Sequence, residues 1–117
     1  PPLSIRKVTE TALNAHERGK IFVWKDGKEI AGAIGLMPTK LWYSEAEIWG
    51  DVFFYVKPSS RQSRAAVELM RKADAFTTTK NRPLFVAVVS GEDTLRKDDF
   101  YKSLGFKYLG GVYAKGV

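Results

Sequence analysis

The sequence predicts an α/β (α+β) fold, a mixed and mostly antiparallel central sheet flanked by helices. Three observations predict it. Two β-rich runs, residues 21–24 and 29–36, meet across Asp26-Gly27, and Asp-Gly between such runs is a strong hairpin signal. A longer apolar run, residues 46–56, passes through a Pro-Ser corner into a stretch whose apolar residues recur at helical spacing. Residues 84–89, LFVAVV, then form another apolar run. Strand, helix, strand in that order implies a right-handed crossover and one parallel pair in an otherwise antiparallel sheet.

Composition bounds what such a fold can do. A chain of 117 residues, 44% hydrophobic and 13% aromatic, fits one globular domain over 1–117 with a dense core, and is too short for two. The absence of cysteine rules out disulfides, a thiolate nucleophile and a cysteine metal site, and suits a reducing compartment. A single histidine, His16, argues against a histidine metal cluster or a Ser-His-Asp triad, so no metal is expected. With no apolar run of about 18 residues and no signal-peptide pattern, a soluble, cytoplasmic protein without a membrane partner is expected. Nineteen Lys and Arg against 13 Asp and Glu, a net charge of +6, favour an anionic partner. A phosphorylated cofactor and a nucleic acid both meet that condition, and solubility alone is the plainer explanation.

Residues 9–18, TETALNAHER, predict a short helix stopped by Gly19, with His16 near its terminal carbonyls. The hairpin follows, with a type I′ turn at Asp26-Gly27. Gly32 and Gly35 weaken its second strand unless another segment or a ligand comes close. Residues 37–40, MPTK, break that strand. Trp42 and Tyr43 stand in the next loop, where they either pack or line a substrate mouth. Residues 46–56 read as a central strand, apolar on both faces, with Gly50 marking a bulge. In the following helix Ala66, Leu69, Met70, Ala73 and Phe76 form one stripe, and the run Thr77-Thr78-Thr79 frays before residues 80–83 turn the chain. Residues 95–104 predict a last helix closed by Gly105, and two short strands around Gly110-Gly111 end the chain.

The corner at residues 57–66 is the chemically suggestive place. A strand ending at a tight turn before a helix aims that helix's first N–H groups at the turn, where an anion can sit. Arg61 and Arg64 fall in the expected first helical turn, where acidic residues are normally favoured. A bound pyrophosphate would resolve that conflict, and so would simple solvation of both guanidinium groups.

Tyr55-Val56-Lys57-Pro58 followed by Arg61-Gln62-Ser63-Arg64-Ala65-Ala66 resembles the acetyl-CoA motif of GCN5-related N-acetyltransferases (GNAT), Arg/Gln-x-x-Gly-x-Gly/Ala. Arg61 fills the first position and Ala66 the last, while Arg64 stands where the family has glycine. Phe100-Tyr101-Lys102-Ser103-Leu104-Gly105-Phe106 is similar to a second and more specific signature, FYxxLGF. The resemblance covers about residues 19–113. It implies an acyl-CoA N-acyltransferase fold, acetyl-CoA as co-substrate, and direct transfer of the acetyl group to the amine of a small-molecule or protein acceptor. It also implies pyrophosphate contacts from Arg61, Gln62, Ser63, Arg64, Ala65 and Ala66, an oxyanion-binding N–H near Val56, and Tyr101 at the departing sulfur. Asp51 or Glu47 is the implied general base. Thr94 stands where the family has an asparagine cofactor contact. The part preceding the hairpin is shorter than the family usual, so a partner subunit in a homo-oligomer, or an open groove, replaces what it would supply. Two rivals remain at this level. One is the same fold without turnover. The other is a nucleic-acid module, disfavoured because the basic residues are spread along the chain and the aromatics fall in core strands.

Overall fold

A computed structural model describes residues 2–61, 63–87 and 94–116, the side chains of residues 94 and 95 excepted. Two compact units hold them, one from Pro2 to Val86 and one beginning at Ala87. In the first unit α1 (Ile5–Arg18) precedes β1 (Lys20–Asp26), β2 (Glu29–Lys40) and β3 (Glu47–Val56). A 3₁₀ turn at Pro58–Ser60 leads to α2 (Ala65–Thr79) and then β4 (Leu84–Phe85). The sheet order is β1-β2-β3-β4, with antiparallel pairing except between β3 and β4, which run parallel. The predicted mixed sheet and its central strand are therefore present.

Helix α1 starts one turn earlier than the helix-former run suggests, because Ser4 caps it and accepts a hydrogen bond from the Lys7 N–H at 3.2 Å. Asp26 pairs with Glu29, which leaves Gly27-Lys28 as the hairpin loop. Only Gly27 has positive φ there, at 63°, so the turn is of the II′ kind rather than the expected I′. Strand β2 does not break at Met37. It runs on to Lys40, and Pro38 lies opposite Trp49. The Trp49 N–H points the other way, to the Pro83 carbonyl at 2.9 Å. Pro38 therefore occupies a non-hydrogen-bonded pair, where a missing N–H costs no ladder bond. The expected bulge is displaced from Gly50: Gly35 pairs with Phe53 and Leu36 with Asp51, so Val52 is the extra residue. Gly35 is glycine for space, since a β-carbon there would lie 2.3 Å from the Phe53 ring.

One face of the sheet carries Phe22, Ile34 and Phe54 in a cross-strand row, with Gly32 and Val56 beside it. Helix α2 covers that face. Its buried residues are Ala65, Leu69, Met70, Ala73 and Thr77, so the stripe is turned slightly from the predicted one. Phe76 sits at its margin, edge-on to Phe22 and Trp49. The helix does not fray at the threonines. Thr77 is buried and its hydroxyl donates to the Asp74 carbonyl, which satisfies it within the helix. Asn81, at φ 57°, ends the helix in a left-handed cap, with the Asn81 and Arg82 N–H groups donating back to Thr78 and Thr77.

In the second unit α3 (Thr94–Ser103) ends as predicted at Gly105. Gly105 has φ 90°, its N–H donates to Lys102, and the Phe106 N–H donates to Tyr101. This is a Schellman cap with its usual apolar closure, the Phe106 ring lying 5.5 Å from that of Tyr101. The Tyr-x-x-Leu-Gly-Phe pattern thus has a folding role of its own. Gly105→Ala is expected to destabilise this unit by about 1 kcal/mol, seen as faster hydrogen exchange at the Phe106 amide. The two closing strands expected after Phe106 are not formed among the described residues. Residues 88 and 89 of the predicted LFVAVV strand lie outside those residues.

Candidate active site

The corner after β3 is assembled by one hydrogen bond back to β2 and a run of short-range ones. The Lys57 N–H donates to Ala31, the Ser60 N–H to Lys57, the Arg61 N–H to Pro58 and the Ser63 N–H to Ser60. The Ser63 hydroxyl oxygen accepts from the Ala65 N–H at 3.1 Å, and Ser60 and Ala65 are buried beneath the turn. Arg61 and Arg64 do not lie in the helix's first turn. Pro58, whose fixed φ suits a helical start, opens the 3₁₀ turn that Arg61 closes, and α2 begins only after Arg64. The charge conflict read from the sequence is met inside the chain: Glu68 occupies the first turn of α2 and holds Arg64 at 2.9 Å. Lys57 is held by Glu29 at 2.8 Å. Ala66 is half-buried on α2, and Gln62 lies outside the described residues.

Strand β3 presents an edge to this corner. The Lys57 N–H points toward β2, so by alternation the N–H and C=O of Val56 and Phe54 point away from it. The Val56 carbonyl accepts from Arg61 Nε at 2.9 Å. Beyond the bulge at Val52 the alternation resets, so that Trp49 and Asp51 face the β4 side. Among the described residues the β3–β4 ladder covers only Trp49 and Gly50, while β3 continues to Val56.

The two candidate carboxylates sit differently on β3. At the usual rise of about 3.3 Å per residue, Asp51 is roughly 16 Å from Val56 and Glu47 roughly 30 Å. Glu47 forms an ion pair with Arg82. Asp51 is partly buried. Trp42 and Tyr43 stack edge-on in the β2–β3 loop and are both exposed. His16 lies exposed in the last turn of α1. Tyr101, in the second unit, is half-buried between Phe100 and Phe106. The backbone of Thr94 opens α3, and its side chain lies outside what the structure describes. The sequence reading missed the Arg61–Val56 contact and the Ser63 cap, which a serine two residues before the helix start could have signalled. Among the described residues no group of His, Cys, Asp and Glu is placed to hold a metal ion, and no helix is long and apolar enough to cross a membrane.

Among the described residues, then, β3 runs past its ladder with β4 and ends at the corner that precedes α2. The acetyltransferase (GNAT) domain matches residues 17–108, and the chain belongs to that family. Solved structures agree with the fold. The aminoglycoside N-acetyltransferase AAC(6')-Iy, in complex with the bisubstrate analogue CoA-S-monomethyl-acetylneamine, superposes with a TM-score of 0.75 at 17% identity, over 100% of this chain and 84% of that one. The aminoglycoside 6'-N-acetyltransferase AAC(6')-IG from Acinetobacter haemolyticus gives 0.71 at 15% identity, over 100% and 85%. An acetyltransferase from Trypanosoma brucei gives 0.68 at 20%, over 100% and 82%. No curated protein matches the chain in sequence.

Proposed function

We propose that this chain is an acetyl-CoA-dependent N-acetyltransferase that moves an acetyl group to a primary amine. The observation that carries the proposal is the edge of β3, where the outward amides of Phe54 and Val56 lead from the corner toward Asp51 over a length comparable with an extended pantetheine arm. A diphosphate suits the corner, where Ala65 is small and buried beneath the turn and Arg61 and Arg64 are exposed. Arg61, Gln62, Ser63, Arg64, Ala65 and Ala66 are the proposed diphosphate contacts, with Thr94 as a further cofactor contact. Bound acetyl-CoA supplies the activated acyl carbon.

In this scheme Asp51 takes the proton from the acceptor's ammonium group. The outward N–H of Val56, read from the motif as the oxyanion donor, lies roughly 16 Å from Asp51. It therefore meets the pantetheine arm near the diphosphate, while the acyl carbon lies toward Asp51. Tyr101 gives its hydroxyl proton to the departing sulfur as the N–C bond forms and the C–S bond breaks, and the second proton shed by the nitrogen as it becomes an amide restores the tyrosine. Asp51 is preferred to Glu47 because it lies nearer the corner, whereas Glu47 stands at the far end of the strand. Three of the structural neighbours are aminoglycoside acetyltransferases by name, which makes aminoglycosides the first amines to screen. A second reading, the same fold without turnover, is favoured by one observation, the closure of Arg64 onto Glu68 where the motif has glycine.

Titration calorimetry and thermal melts with acetyl-CoA test the proposal. At a ligand concentration of about a hundred times Kd the protein should gain about 2.7 kcal/mol; no heat and no shift would sink the proposal. Tyr101→Phe should then lower kcat by about tenfold or more with little change in cofactor affinity. Unchanged turnover removes Tyr101 from the chemistry, and binding without turnover for any amine selects the second reading.

A further inference from the structure

Building on the proposed acetyl-CoA site, we infer that Arg61 is a positioning residue that ties the diphosphate corner to the catalytic edge of β3, by holding the Val56 carbonyl through Nε while offering its Nη groups to phosphate. Three observations carry this. Arg61 Nε donates to the Val56 oxygen at 2.9 Å, and that carbonyl faces away from β2 at the end of the strand. The guanidinium carbon lies 5.7 Å from the centre of the Tyr55 ring, a cation–π contact that helps hold the group in place. Among the described residues no carboxylate pairs with Arg61, whereas its neighbours Lys57 and Arg64 are held by Glu29 and Glu68.

A guanidinium is a rigid fork of donors, so a bond through Nε leaves the Nη edge available for a planar, bidentate grip on an anion. The cation–π contact with Tyr55 and the bond to Val56 orient that edge before any ligand arrives. An anion on the Nη groups then fixes the fork, and with it the last peptide of β3. The outward amides of Phe54 and Val56 are the groups proposed to meet the acyl arm, and a misplacement of about 1 Å there costs about a hundredfold in rate. One side chain therefore couples binding at the corner to alignment at the strand edge.

The chemistry of the side chain makes the two roles separable. Glutamine carries its amide nitrogen at the same bond count from the backbone as arginine Nε, so Arg61→Gln keeps a donor for Val56 and loses the charge. Lysine has a methylene at that position, so Arg61→Lys keeps the charge and loses the donor. Calorimetry with CoA, saturation kinetics with acetyl-CoA and the carbonyl carbon shift of Val56 read the outcome, with circular dichroism melts to confirm folding. Arg61→Lys should bind CoA within about threefold of wild type, lose about tenfold in kcat and shift the Val56 carbon. Arg61→Gln should bind about tenfold more weakly, lose part of kcat at saturation but less than Arg61→Lys does, and leave the carbon unmoved. Identical patterns in the two variants, or an intact kcat with Arg61→Lys, overturn the coupling. A wild-type protein that takes no CoA overturns the parent reading instead, and the Val56 shift in the two variants then still decides whether the clamp exists.

Discussion

Asp51→Asn is expected to lower kcat by about a hundredfold or more, with acetyl-CoA affinity held within roughly twofold. The acceptor arrives as an ammonium ion and becomes a nucleophile only when a base accepts its proton, and asparagine has no basic oxygen to do so. Position supports the choice. Asp51 follows the two residues at which β3 meets β4, and immediately precedes the bulge at Val52 that resets the strand's alternation. A bulge of this kind is a common device for re-aiming side chains near a catalytic centre. Asp51→Glu, with one more methylene, should recover part of the lost rate. Glu47→Gln should instead act mainly on stability, through the ion pair with Arg82, and reduce kcat far less. Steady-state kinetics on the three variants, each with CoA titrated separately, decide the matter. If Asp51→Asn keeps wild-type kcat, or Glu47→Gln abolishes turnover, the base assignment is wrong.

The fold was legible wherever one local rule acted alone. Asp26-Gly27 between β-rich runs announced the hairpin, the apolar run at residues 46–56 announced a central strand, and Gly105 announced the end of α3. Misreadings arose where the deciding partner lay elsewhere in the chain. Pro38 looked like a strand breaker until Trp49 proved to donate away from it. Thr77 looked like a point of fraying until it was seen buried and bonded to Asp74. The arginines at 61 and 64 looked like a charge anomaly because the 3₁₀ turn was unforeseen, and that turn moves both out of the helix and lets Glu68 answer Arg64. The corner as a feature was readable, since Pro and Ser between strand and helix signals leave few alternatives. The direction of each side chain at the corner was not, because hydrogen bonds such as Arg61 to Val56 depend on strand parity, which a one-residue bulge inverts.

The largest stability effect is expected from Leu69→Ala, a loss of about 3 kcal/mol, or a fall in Tm of about 10 °C. Leu69 is 1% exposed and points from α2 onto the sheet beside the corner. Its Cδ1 stands 3.2 Å from where a Gly32 β-carbon would lie, with Val56 Cγ2 at 3.3 Å from the same point. Gly32 has no side chain that could lean into the vacated space, and Val56 is stiff at χ1. The cavity should therefore stay largely open, which places the substitution toward the costly end for its type. Val56 immediately precedes the corner and accepts the Arg61 bond, so loosening here should also weaken CoA binding. Leu69→Met, which nearly conserves volume, should cost less than about 1.5 kcal/mol and restore that binding. Urea denaturation should show a lower midpoint with an unchanged slope for Leu69→Ala, the mark of lost packing in an otherwise intact fold. A loss below about 1 kcal/mol would mean that the sheet beneath α2 closes around the gap, and the contact from Leu69 to the strand end would then have no part in holding the corner in place.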